Sequence, residues 1–171
     1  DKVQSLWRRG AMNAANLAEE LAALGLHKQS ANRVIEPFAH IATVVTGTEF
    51  ENFYGLRVSP EAQPEFDALA KQMLDAHNRS VPVMRFASEW HLPFIQPREF
   101  VLHNVGTLLK LSVARCARVS YWNHENKAPD PTEEIARHDS LLTAGHVSPF
   151  EHQATPFGWA HPEVRWSGNF Q

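Results

Sequence analysis

A single cysteine, Cys116, occurs in 171 residues. One thiol cannot close an internal disulfide, so a disulfide-stapled scaffold is excluded, and a reducing, cytoplasmic setting is expected. A strong charge of either sign is also missing: 16 basic residues face 19 acidic ones, for a net charge of −3. Without a basic field, nucleic acid is not an expected partner. No apolar run approaches the roughly 20 residues of a membrane-spanning helix, so no membrane partner is expected either. A glycine-rich phosphate loop and a G-x-S-x-G turn are both absent from the sequence.

What is present is ordinary globular composition. Hydrophobic residues make up 43% and charged residues 20% of the chain, which argues against disorder. A chain of this length buries roughly 70% of its unfolded surface. Ten histidines are more than usual and invite a functional explanation. The opening stretch "DKVQSLWRRGAMNAANLAEELAALGL" spaces Val3, Leu6, Gly10, Ala14, Leu17, Leu21 and Leu24 by threes and fours. That spacing predicts a long helix with one buried stripe, capped by Gly25. "HKQSANRVIEPF" reads as a second helix ending near Pro37. "HIATVVT" is β-branched and reads as a short strand or a buried helix.

Thr48 and Glu51 form a capping-box pair that predicts a helix start there. Ser59 and Pro60 read as the cap and first residue of the next helix, with Pro64 tolerated in its first turn. Residues 80–97 read as irregular chain with a short strand. "NVGTLLKLSVARCARVSYW" is helical again, and Asp130, Pro131 and Glu133 open a last helix closed by Gly145. No internal repeat or flexible linker interrupts the chain. The expected fold class is α+β: one helix-rich domain over 1–171 with a small β-sheet.

"GHVSPFEHQ" concentrates ionisable groups at a helix end. His146 and His152 are six apart with Pro149 between them, a spacing that does not place both on one helical face. The punctuation reading makes Ser148 a cap, Pro149 the first helical residue and Glu151 the capping-box partner. A helix start also attracts anions, so cap and anion or cofactor site are compatible. Arg33 and Arg57 lie near helix ends among apolar neighbours. Arg115 and Arg118 share a helix face, read slightly in favour of surface salt bridges over an anion grip. Asn52, Gln63 and Glu65 read as capping or buried hydrogen-bonding groups. Cys116 reads as a small buried hydrophobe with no base beside it.

These stretches together resemble a family. "TEFENFYGLRVSPEAQPE", "NRVIEP", "ARCARVSY" and "GHVSPFEH" resemble segments of flavin-dependent thymidylate synthases, also called thymidylate synthase complementing proteins. The order is permuted: "NFYGLR" here precedes "GHVSPFEH", whereas the commoner arrangement is the reverse. Permutation preserves a fold when the termini lie close together. The resemblance implies that family's fold and a homotetramer. It also implies methylation of dUMP to dTMP, with methylenetetrahydrofolate as carbon donor and NADPH-reduced FAD as hydride source.

Residue by residue, Arg57 matches the arginine that contacts dUMP and stabilises charge on the pyrimidine, so it is the expected catalytic residue. Arg33 matches a second dUMP-binding arginine. Asn52 and His152 match positions at the flavin, while Gln63, Glu65 and Glu151 take supporting roles. No metal is implied. The sequence departs from the family pattern in several places. It has no Arg-His-Arg segment, Thr46 and Thr48 stand where the family has Asn and Arg, and Glu61 replaces a histidine. Both ends read as cut from a longer protein, so an upstream segment and a short C-terminal continuation are expected. Two alternatives stay open: a non-catalytic nucleotide-binding or assembly homologue, and a metal-dependent hydrolase using His146, Glu151 and His152.

Overall fold

The computed structural model describes residues 1–120 and 130–156. It divides into two compact units, Asp1–Thr43 and Val44–Gln171.

The first unit is built on α1 (Lys2–Ala23), whose N-cap Asp1 accepts a 2.8 Å hydrogen bond from the Val3 amide. Gly25 ends it at φ +90°, with Gly25 N–H donating to Ala22 and Leu26 N–H to Leu21. This paired closure satisfies carbonyls that the helix leaves open, and it needs a left-handed residue. α2 (Lys28–Asn32) runs into a 3-10 turn (Arg33–Phe38) that contains Pro37. Phe38 meets Trp7 edge to face at 5.0 Å, and a Cβ on Gly10 would touch the Phe38 ring at 3.5 Å. The covered face of α1 is therefore its small-residue face: Gly10, Ala11, Ala14, Ala15 and Ala18. Only part of the expected stripe is covered, because Val3 is 72% and Leu24 86% exposed and Leu6 and Leu17 are also exposed. Small side chains let the turn approach closely, and the large ones flank it.

The second unit contains α3 (Glu51–Arg57), α4 (Pro64–Arg79), α5 (Glu99–Leu102), α6 (Val105–Ala117) and α7 (Pro131–Thr143), then a 3-10 turn at Ser148–Glu151. α6 is its axis. Asn104 caps it through the Thr107 amide at 2.9 Å, and Leu108, Leu111, Ser112, Val113, Ala114 and Cys116 are buried. α7 starts at the Asp130 cap, which accepts from the Thr132 amide at 2.8 Å, and closes at Gly145 with φ +73°.

A helix buried on this scale must pair its charges. Arg115 Nη2 and Nε bond Glu99 at 2.7 Å and Glu134 at 2.8 Å, and Arg118 Nη2 reaches Glu134 at 2.9 Å. Arg115 Nη1 also donates to the Phe94 carbonyl at 2.8 Å. Glu134 is 1% exposed. These two arginines thus form part-buried ion pairs that join α5, α6 and α7, in place of the surface salt bridges expected.

Several local expectations are corrected. Residues 40–46 form neither strand nor helix, and most are exposed, since no neighbouring strand pairs them. Among the described residues there is no strand, only a bridge between His91 and Ala154, so the expected sheet is absent from this region. α3 starts after Phe50 without a side-chain cap, so Thr48 and Glu51 form no capping box. α4 starts at Pro64, which lacks an amide hydrogen and fits the first helical position. Ser59 instead closes a local turn by accepting from the Glu61 amide at 3.2 Å. Ser148 and Glu151 also form no capping box, because the turn they bound is a single short 3-10 unit capped by Val147. Residues 121 and 122 of the expected α6 pattern lie outside the described residues.

Gly145→Ala is expected to lower stability by about 1 kcal/mol, because Ala resists a left-handed φ. Gly55→Ala, inside α3 with open space around it, is expected to raise stability by about 0.5–1 kcal/mol. Urea unfolding of the two variants beside the parent chain checks both signs.

Candidate functional site

Two stretches far apart in the sequence meet in the second unit. Thr46 Oγ1 lies 2.9 Å from His152 Nδ1, a separation of 106 residues. Thr46 leads into α3, which carries Asn52 and Arg57. His152 follows the Ser148–Glu151 turn, so the contact joins the surroundings of "NFYGLR" to "PFEH".

Three anchors hold the His152 segment. The Phe150 ring lies 5.3 Å from the His138 ring on α7. Gln153 Nε2 donates to Ser112 Oγ at 3.1 Å and lies 3.7 Å from Cys116 Sγ, both on buried α6. Ser112 Oγ in turn donates to the Pro93 carbonyl at 2.9 Å. Ala154 and His91 exchange backbone hydrogen bonds of 2.7 and 3.2 Å. Gln153 is thus drawn into the helix core while the half-buried His152 turns to Thr46. That contact occupies Nδ1 and leaves Nε2 without a hydrogen-bond partner among the described residues, so a ligand can use it.

Arg57 sits in the last turn of α3, exposed, with its guanidinium 5.7 Å from the centre of the Phe66 ring. Such a contact orients an exposed cation at a gain of roughly 0.5–1 kcal/mol. It uses the face of the guanidinium and leaves the in-plane N–H donors for a phosphate or carboxylate. Asn52 is exposed on the same helix. Five positions at roughly 100° each put the two about 140° apart around the axis. They therefore address two ligands, or two ends of one, and not a single flat group.

Gln63 occupies the cap position of α4 and makes no side-chain cap bond, and Glu65 is exposed in its first turn. Asn52, Gln63 and Glu65 are all exposed, so none is the buried hydrogen-bonding group expected. Glu151 and His146 are exposed as well. Arg33 belongs to the first unit, where it opens the 3-10 turn and is exposed. Among the described residues, no three His, Cys, Asp or Glu side chains gather as a metal site. Cys116 is buried, and desolvation pushes its thiol up, which makes it a poor nucleophile.

A separate half-open cavity of about 440 Å³ lies beside the ion cluster. Phe94, Leu102, Val119 and Pro131 line it along with Arg98, His103 and Arg118. Glu99 and Glu134 had no part in the sequence reading. The signal for them was α6 itself: an apolar helix carrying two arginines requires buried counter-charges from its neighbours. Thr46, Gln153 and His138 left no such signal, because their partners come from distant segments.

No protein-family model, curated protein or solved structure matches the chain.

Hydrogen bonds from Arg115 hold the Glu99 carboxyl below the usual carboxylate range, against the opposing push of burial. A pKa lowered in the folded state stabilises fully above the unfolded value and is lost as pH falls through the folded value. Glu99→Gln is therefore expected to be less stable than the parent at neutral pH. Its stability should also fall less steeply on acidification below about pH 4.5, so the two curves converge in acid. Urea midpoints measured across that range test it, and parallel curves would show that Glu99 carries no such linkage.

Proposed function

We propose that this chain is a flavin-dependent thymidylate synthase of permuted order, with the α+β fold of that family. It converts dUMP to dTMP with methylenetetrahydrofolate, NADPH and FAD. The observation that carries the reading is the Thr46–His152 contact at 2.9 Å. Thr46 lies two residues before the family-like stretch that begins at Thr48, and His152 ends "GHVSPFEH", so the contact links the approach to one such stretch with the end of another and supports a shared site.

The side chains suit the task. FAD, when bound, supplies the hydride chemistry, which no protein side chain can provide. Asn52 offers an exposed amide and His152 a free Nε2, two groups suited to the polar edge of a flavin. Arg57 offers unbonded donors to dUMP and stabilises negative charge developing on the pyrimidine. Gln63, Glu65 and Glu151 support the surrounding loops. Homotetramer formation is part of the same reading. A cytoplasmic location suits the single buried thiol.

The non-catalytic homologue differs in binding dUMP without turnover, so one assay separates the two. The chain is incubated with dUMP, methylenetetrahydrofolate, NADPH and FAD, and dTMP is measured. Turnover is expected. Arg57→Ala should abolish dUMP binding and turnover with the circular dichroism unchanged. dUMP affinity unaltered in Arg57→Ala would remove the nucleotide site from α3.

A further inference from the structure

The cavity beside the α5–α6–α7 ion cluster lies apart from Asn52, Arg57 and His152. Its walls combine two chemistries. Phe94, Leu102, Val119 and Pro131 make it largely apolar, and Arg98, His103 and Arg118 bring cationic or hydrogen-bonding groups to it. At about 440 Å³ it falls within the range of small-molecule sites.

Among the described residues, Arg115 and Arg118 are matched by Glu134 and by Glu99, which itself lines the cavity, and this leaves the Arg98 charge over. Among the described residues, the Arg98 and His103 side chains make no hydrogen bond or ion pair. Arg118 Nε is buried with no acceptor. An unmet buried donor is costly, and an incoming acceptor relieves it. Phe94, which lines the cavity, has φ +63°. A phenylalanine held there is strained. Its carbonyl is held by Arg115, so the ion cluster fixes the wall in that shape. Backbone strain of this type concentrates at ligand sites.

We propose that this cavity binds an organic anion with an apolar body, its carboxylate or phosphate monoester group facing Arg98, His103 and Arg118. The apolar walls take the body and the unmatched cation takes the headgroup. A purely apolar ligand leaves the donors unmet, and a bare inorganic anion leaves the walls wet.

Isothermal titration with four probes tests this: phenyl phosphate, benzoate, benzyl alcohol and inorganic phosphate. At least one of the two aromatic anions should bind roughly tenfold more tightly than both benzyl alcohol and inorganic phosphate. The tighter of the two identifies the headgroup. Arg98→Ala should weaken the anion about tenfold and leave benzyl alcohol unchanged. Leu102→Trp, which fills the mouth from an exposed position, should weaken both. Arg57→Ala should change nothing, which separates this site from the proposed nucleotide site. The proposal is overturned if neither aromatic anion binds, if Arg98→Ala and Leu102→Trp leave anion binding unchanged, or if Arg57→Ala abolishes it.

Discussion

The second unit depends on how α6 pairs its two half-buried arginines. A helix buried along most of its length cannot leave guanidinium groups unpaired, since an isolated buried charge costs several kcal/mol. Arg115 therefore draws Glu99 from α5 and Glu134 from α7, and Arg118 shares Glu134. These contacts fix where the two neighbouring helices can sit. They also set the Phe94 backbone, whose carbonyl completes the donor set of Arg115. Such a cluster is weak evidence for net stability, because replacing it wholesale with apolar side chains is often neutral. Its effect lies in the arrangement it permits: helices shifted by a turn would strand a charge.

The same helix organises the chemistry around it. Ser112 and Cys116 receive Gln153, and this pins the segment that carries His152. Asn52, Arg57 and His152, each with donors or acceptors unbonded among the described residues, lie exposed or half-buried around that core. Reactive groups on loops and helix ends, held by a rigid interior, are a common division of labour.

Much of this was legible in the sequence because it is local. Asp130 and Gly145 bracket α7 as their types dictate, and Gly25 closes α1. Misplaced helix starts at Thr48 and Ser59 share a cause. Serine and threonine favour caps and turns alike, and Ser59 took the turn while Pro64 fixed the helix start. The stripe on α1 failed for a different reason: spacing identifies a face, but contact geometry chose the alanine and glycine face beneath Phe38. Non-local pairs, such as Thr46 with His152 or Gln153 with Ser112, have no signature in either partner's own neighbourhood. The contact that supports the functional reading belongs to this class.

The Thr46 hydroxyl meets the "PFEH" histidine. If Asn52 and His152 serve a flavin, this chain must hold one. The most direct measurement is the visible absorbance spectrum of the purified protein after incubation with FAD and gel filtration. The account predicts a flavin spectrum that elutes with the protein. A folded protein that elutes colourless would contradict it.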